Sequence, residues 1–145
     1  MIRPFDYYEN EKLVEKTALN IGLAKSLMEK AELRLNRLLK EEIKEDESSL
    51  IFEDAYESMR EASQALMQLA GYKPLSHEAL VSFLIKEKYL SEEKLNMLNS
   101  YRILRNKSVY QAEKISVDKC KEAINFAKEI ISELKRKFKE LTNGS

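Results

Sequence analysis

The amino-acid sequence predicts an all-α fold, a single-domain antiparallel bundle of about five helices. Glycine and proline interrupt helices, and the 145 residues contain only three Gly and two Pro. Charged residues make up 34% of the chain, and apolar residues recur at the three- and four-residue steps of amphipathic helices. A chain of this length buries one sizeable core, so we expect one domain over residues 1–145, with its core at about residues 9–141.

The first predicted helix runs from about Glu11 to Ile43. The charged segment from Glu41 to Ser49 interrupts its pattern, and we expect that segment to be an exposed connection. The apolar face of this helix consists of Leu13, Ala18, Ile21, Ala24, Met28, Ala31, Leu35 and Leu38.

The second predicted helix runs from about Leu50 to Tyr72. Gly71 followed by Pro74 is a combination typical of helix C-termini. The positions predicted to be buried are Ile51, Ala55, Met59, Ala62, Leu66 and Leu69.

Serine residues mark the starts of the three remaining helices. A serine hydroxyl accepts a hydrogen bond from a backbone N–H of the first turn, and Ser76, Ser91 and Ser116 each precede an apolar-periodic segment. The helices are expected over His77 to Tyr89, Glu92 to about Lys107, and Val117 to about Leu141.

The last predicted helix has the most regular apolar pattern in the chain. Such a seam packs along another helix at a shallow angle, either in the monomer core or in a dimer. Cys120 lies on the seam, so we expect a buried, unreactive thiol. The seam consists of Val117, Cys120, Ile124, Ala127, Ile131, Leu134, Phe138 and Leu141.

Composition excludes several classes of function. The apolar runs are too short to span a membrane, and the N-terminal residues MIRPFDYYENEK lack the apolar core of a signal peptide, so we expect a cytoplasmic protein. The single cysteine excludes an intrachain disulfide and a cysteine-cluster metal site, and we expect no metal and no cofactor.

Charge is unevenly distributed although the formal net charge is zero. From Arg102 onward the chain carries 11 basic and 6 acidic side chains, a net charge of +5, which leaves −5 for the remainder. This asymmetry suits self-association or a local anionic ligand near the C-terminal half. A solvated polar surface is the alternative interpretation.

The segment YRILRNKSVY, from Tyr101 to Tyr110, carries the candidate site. Arg105, Asn106 and Tyr110 are the primary candidates for ligand binding or catalysis, and Arg102 is a secondary one. The planar guanidinium fork of arginine matches phosphate oxygens bidentately and stays charged. In the competing interpretation, Arg105 forms a surface ion pair, Asn106 caps the helix and Tyr110 packs against the core.

Three segments, in this order, together resemble the HEPN family (higher eukaryotes and prokaryotes nucleotide-binding domain). Phe52 to Lys73 resembles the long helix of the family that ends in a Gly-Tyr turn, and Ser76 to Leu84 resembles the helix that follows it. RNKSVY, Arg105 to Tyr110, resembles the family signature of Arg, usually Asn, a few residues and then His.

The resemblance implies a bundle of about five helices that forms a homodimer, with the signature residues in a cleft near the dimer interface. Active members of the family are metal-independent ribonucleases, often the toxin of a toxin–antitoxin pair. Other members accompany a minimal nucleotidyltransferase, and some act as binding modules without demonstrated catalysis.

This chain departs from the signature at Tyr110, which stands where the family has His. A phenol ionises near pH 10 and is a poor general base at neutral pH, but it donates hydrogen bonds to phosphate and stacks on nucleobases. We therefore expect a nucleotide- or RNA-binding module that is non-catalytic or weakly catalytic. The alternatives are an active ribonuclease that uses Tyr110 or His77, and a purely structural helical interaction module.

Helix geometry constrains how the candidates meet. Positions five apart lie roughly 140° apart around a helix, so Arg105 and Tyr110 are expected to converge only if the helix ends near Lys107 or across a two-fold axis. His77, the only histidine, is a secondary candidate. A structural role at the start of its helix competes with a role as a substitute base.

Overall fold

A computed structural model describes residues 2–143 and is predominantly helical. The predicted domain, residues 1–145, includes positions 1, 144 and 145, which lie outside the described residues. None of the described helices has the length and apolar character needed to cross a bilayer. The elements are α1 (Phe5–Asn10), β1 (Val14–Lys16), α2 (Ile21–Lys40), α3 (Ser48–Leu69), β2 (Tyr72–Pro74), α4 (His77–Glu87), α5 (Glu92–Gln111) and α6 (Val117–Asn143).

The chain is predominantly helical, as predicted, but a bundle of five helices is not confirmed, because the described residues form six helices and two short strands. The five predicted helices correspond to α2 through α6, and α1 is an additional short helix among the described residues. Phe5 and Tyr8, one turn apart on α1, are buried. Phe5 packs edge-on against Tyr72 and Phe83 with ring centroids 5.1 and 5.8 Å away.

The start of the first predicted helix is also wrong, because α2 begins at Ile21 rather than at Glu11. Lys12 adopts a left-handed conformation with φ of 58°, which ends the helical path after α1. Asn20 then caps α2, since its side-chain oxygen accepts a hydrogen bond from the Leu23 N–H at 2.9 Å. Leu13 therefore lies outside any helix.

A two-stranded antiparallel sheet occupies part of this region. β1 pairs with β2, with Val14 opposite Pro74, so the second predicted helix ends at Leu69 rather than near Tyr72. Gly71 turns the chain between α3 and β2 with φ of +80°, a conformation that side chains rarely adopt. Through this pairing, the N-terminal segment that contains β1 is held against the connection between α3 and α4.

The core is centred on α3, against which α2 and α6 pack most extensively. The predicted seam on α6 packs in the core of this chain, one of the two alternatives that periodicity left open, with Ile124 5% and Ile131 2% exposed. Leu141, at the end of the seam, is half exposed. Cys120 is buried as predicted, and burial raises the pKa of its thiol to about 11.

The three predicted serine caps are confirmed. The hydroxyl oxygens of Ser76, Ser91 and Ser116 accept hydrogen bonds from backbone N–H groups three residues later, at 3.0 to 3.2 Å. The predicted end of the fourth helix is wrong, because α5 continues through Tyr110 to Gln111 and ends at Ala112, which has φ of 50°. Arg102, Arg105, Asn106 and Tyr110 therefore all lie within one helix.

Candidate functional site

Contacts with α3 and α6 hold the C-terminal half of α5 in place. Tyr101 is buried between Phe52 and Phe126, with ring centroids 6.0 and 5.3 Å away. Farther along the helix, the buried hydroxyl of Ser108 donates to Glu53 Oε2 at 2.7 Å. These two anchors fix the rotation of α5 about its axis and so determine where Arg105 points.

Arg105 lies close to two tyrosine rings. Its Cζ is 5.9 Å from the ring centroid of Tyr110 on the same helix and 6.0 Å from that of Tyr56 on α3, both within the range of cation–π attraction. Arg105 and Tyr110 therefore approach each other although α5 continues past Lys107. The expectation that they converge only if the helix ends near Lys107 or across a two-fold axis is wrong, because the long Arg105 side chain reaches the Tyr110 ring along the surface of one continuous helix.

The surroundings of Arg105 contradict the interpretation of a surface ion pair. No carboxylate of residues 2–143 lies within ion-pair distance of its guanidinium. Instead, Arg105 Nη1 donates to Asn106 Oδ1 at 3.2 Å. Asn106 lies inside α5 and does not cap it. Tyr110 is 74% exposed, so it is not a packing residue of the core.

Tyr56 was missed by the sequence reasoning, yet it connects the candidates. It is 1% exposed, and its hydroxyl lies 3.4 Å from His77 Nδ1, with the two rings stacked at 5.8 Å between centroids. Burial raises the pKa of Tyr56 to about 12, although the charges of the neighbouring arginines oppose this shift. The hydroxyl is therefore protonated at neutral pH.

His77 is half-buried at the first position of α4. Burial lowers the pKa of its imidazole, and the positive charges of Arg105 and Arg60 lower that pKa further, while Glu57 acts in the opposite direction. The ring is thus neutral at pH 7 and keeps one nitrogen lone pair. The cap of α4 is Ser76 rather than His77, and the structure brings His77 to the same tyrosine as Arg105.

Arg102 is the most buried of the nearby arginines, 7% exposed. Its Nε donates to Asn99 Oδ1 at 2.9 Å, and its Nη1 lies 3.6 Å from Glu78 Oε1. Glu78 also accepts a hydrogen bond from the Tyr8 hydroxyl at 3.3 Å. These partners hold Arg102 beneath the surface. There its positive charge acts to lower the pKa of Tyr56 and the pKa of His77.

Arg60 is the second residue that the sequence reasoning missed. Its Nε donates to Glu57 Oε2 at 2.9 Å, a second nitrogen binds the other Glu57 oxygen, and Nη1 donates to Gln64 at 2.6 Å. This pairing lowers the pKa of Glu57. The i, i+3 spacing of Glu57 and Arg60 predicts their ion pair, but nothing in the sequence indicates that the pair lies next to His77.

These side chains form what we call the arginine cluster: Arg60, Arg102 and Arg105 around Tyr56 and His77. Glu57 and Glu78 offset part of its positive charge, which leaves an excess of one guanidinium. Because bringing like charges together is unfavourable, such an excess favours the binding of an anion. Within the described part of the chain, no group of three or more His, Cys, Asp or Glu side chains is placed to hold a metal ion.

Comparison of the chain with protein-family models, with curated proteins and with solved structures found no match. The relation to the HEPN family therefore stays a resemblance carried by three segments.

Proposed function

We propose that this chain is a HEPN-like helical module that binds a nucleotide or an RNA phosphate through Arg105, Asn106 and Tyr110. The observation that supports this most directly is the position of Arg105. Its guanidinium has no described carboxylate partner, and it lies between a buried tyrosine and an exposed one. The planar fork of N–H donors on a half-buried guanidinium that has no carboxylate partner matches the oxygens of a phosphate group.

The exposed ring of Tyr110 suggests a nucleotide rather than a bare anion. With 74% of its surface accessible, the ring is available to stack on a base while the adjacent Arg105 holds the phosphate. A base stacked on an aromatic side chain contributes about 1–3 kcal/mol without strong sequence preference. Single-stranded RNA and free nucleotides therefore both fit this arrangement.

We propose weak or no catalysis because the position of the signature histidine is occupied by Tyr110. Metal-independent cleavage of RNA needs a group that accepts the 2′-hydroxyl proton near neutral pH. The module would then act as a homodimer with a minimal nucleotidyltransferase, or in a toxin–antitoxin system, as the family resemblance implies. The opposite net charges of the two parts of the chain support self-association.

The position of His77 favours a second candidate function, a metal-independent ribonuclease. His77 is neutral at pH 7 and lies beside Tyr56, which also contacts Arg105. In the tautomer that carries its proton on Nδ1 and donates it to the Tyr56 hydroxyl, the Nε2 lone pair is free, and a neutral imidazole of this kind near a phosphate-binding arginine is a competent base. In this case His77 would take the role that Tyr110 performs poorly.

A metal-free assay with labelled single-stranded RNA tests both candidates at once. Wild-type protein is expected to bind RNA without cleaving it, and Arg105→Ala is expected to weaken binding about tenfold or more through loss of a charge-assisted contact. Arg37→Ala, which removes an exposed arginine of α2, is the matched control and should leave binding unchanged.

The remaining outcomes separate the hypotheses. Cleavage that is abolished by both Arg105→Ala and His77→Gln would establish the ribonuclease. Binding that is equally strong in Arg105→Ala and in wild type would contradict the proposed site. Circular dichroism of each variant confirms that a loss of binding does not reflect a loss of fold.

A further inference from the structure

A pocket beside the arginine cluster is not accounted for by Arg105, Asn106 and Tyr110. It has a volume of about 160 Å³ and lies between α3 and the start of α4, with Arg60 and His77 among its lining residues. Sites that bury a whole small molecule measure about 300–1,000 Å³. The pocket therefore suits a single compact group such as a phosphate, and it is too small to enclose a nucleoside.

Arg60 brings fixed donors to this pocket. Glu57 and Gln64 together engage three of its nitrogens, which holds the guanidinium in place. Since a guanidinium has five N–H donors, two donors remain for a ligand. Glu57 neutralises most of the charge of Arg60, so affinity for an anion here depends on a further donor.

His77 is that further donor. The protonated hydroxyl of Tyr56 is 3.4 Å from Nδ1, and when it donates to this nitrogen, the neutral ring carries its own proton on Nε2. The Nε2–H group is then a hydrogen-bond donor on a residue that lines the pocket. Protonation of the ring would add a full positive charge without changing the position of this donor.

His77, which lines the pocket, and Arg105 both lie next to the ring of Tyr56. The His77 ring centroid is 5.8 Å and the Arg105 Cζ is 6.0 Å from the ring centroid of Tyr56. Arg105 is not among the residues that line the pocket, so a phosphate bound there leaves Arg105 available for a neighbouring phosphate of a short oligonucleotide.

We infer that the pocket lined by Arg60 and His77 is a second phosphate subsite, so that the ligand is an oligonucleotide with at least two backbone phosphates. This inference rests on the proposed function, because Arg105 is taken to hold the first phosphate. The subsite assigns binding roles to Arg60 and His77, and a positioning role to Tyr56.

Binding at this subsite is also linked to pH. The groups that face His77 are Tyr56, Glu57 and Arg60 from α3 and Arg102 and Arg105 from α5, in addition to Glu78 next to it on α4. The positive charges in this set outnumber the negative ones and oppose protonation of His77. The single negative charge of a bound phosphodiester cancels this excess and favours protonation of His77, so affinity for a second phosphate rises as the pH falls.

Two uncleavable probes distinguish the subsites. Uridylyl-uridine with 2′-O-methyl riboses carries a single phosphodiester, and 2′-O-methyl pentauridylate carries several, and neither diester titrates between about pH 5 and pH 8. We expect His77→Gln to weaken binding of pentauridylate by about tenfold and to leave uridylyl-uridine unchanged. Arg105→Ala is expected to weaken both probes.

The salt and pH dependence provide readouts that a merely structural role of His77 would not affect. In His77→Gln, the slope of log affinity against log salt for pentauridylate should decrease by about one phosphate contact. In wild type, affinity for pentauridylate should rise more steeply from about pH 7.5 to about pH 5 than affinity for uridylyl-uridine, because only pentauridylate places a phosphate next to His77 itself.

Each other outcome has a definite meaning. An equal loss on both probes in His77→Gln would mean that His77 shares the phosphate of Arg105, and no loss would mean that it binds none. Either result overturns the second subsite and leaves the proposed function intact. If Arg105→Ala binds both probes as wild type does, the proposed function itself is wrong. The wild-type pH comparison decides the question if His77→Gln does not fold.

Discussion

At the scale of single residues, Glu61 is the more deeply buried of two charged side chains, Glu61 and Arg102, in the described part of the chain. It lies on α3 with 1% of its surface exposed, and its carboxylate is 2.9 Å from Arg34 Nε and 3.4 Å from Lys30 Nζ. Both partners come from α2. A buried carboxylate is tolerated only when it is paired, so this contact fixes how α2 lies on α3.

Removal of Arg34 should therefore destabilise the fold. In Arg34→Met, Glu61 keeps only the exposed Lys30, and we expect the free energy of unfolding to fall by about 1–3 kcal/mol, the usual effect of leaving a buried polar group without its partner. Chemical denaturation measures this change.

The exposed Arg37 on the same helix provides the control. Arg37→Met should change stability by less than about 0.5 kcal/mol. If both variants were equally stable, the contact between Arg34 and Glu61 would have no energetic role.

His77 should make stability depend on pH in the ligand-free protein. Because its pKa in the folded state is lowered, the unfolded chain takes up a proton first as the pH falls below the ordinary value of about 6.5. Wild-type stability should therefore decrease from about pH 6.5 down to the lowered pKa and then level off with respect to this group.

His77→Gln removes that part of the dependence. We expect the difference in unfolding free energy between wild type and this variant to shift in favour of the variant as the pH falls, measured by denaturation at a series of pH values. A difference that stays constant with pH would show that His77 titrates alike in the folded and unfolded states.

At the scale of elements, apolar periodicity located α2 to α6, and the serine caps located three helix starts. Periodicity could not locate α1 or the strands, because elements of three to six residues are too short to show a period. Residues 11–20 continue an apparently helical pattern, but the pairing of β1 with β2 and the left-handed Lys12 override local preference. The conformation of such a segment is determined by tertiary contacts rather than by its local sequence.

The assignment of the α6 seam to the monomer core leads to a prediction for that helix. Ile131 is 2% exposed, so Ile131→Ala should lower the free energy of unfolding by about 2–5 kcal/mol through lost burial and a cavity. Leu141→Ala, at a position that is 49% exposed, should cost less than about 1 kcal/mol. Similar small losses in both variants would contradict a seam buried within one chain.

At the scale of the whole molecule, the candidate site was predictable only in part. Arg105, Asn106 and Tyr110 were found because they share one short segment of sequence. Tyr56 and Arg60 were not found, because they lie on α3 and meet Arg105 and His77 only through helix packing. A single sequence contains no signal for such a contact between elements unless a motif spans both.

The opposite charges of the two parts of the chain lead to a prediction about assembly. If the −5 and +5 portions attract each other across a dimer interface, association should weaken as salt screens the attraction. Sedimentation equilibrium is expected to show a dimer at low ionic strength and a growing monomer fraction at high ionic strength. A monomer at every salt concentration would contradict the proposed homodimer.

The short sheet has a consequence for the order in which the molecule forms. β1 joins β2 across nearly sixty residues of sequence, and α4, with His77, begins three residues after Pro74. Contacts between distant parts of a chain form late, since the loop between them must first close. We therefore expect the helical core to be assembled before His77 reaches its final position. During synthesis, the site would be completed only after β2 has emerged and has paired with β1.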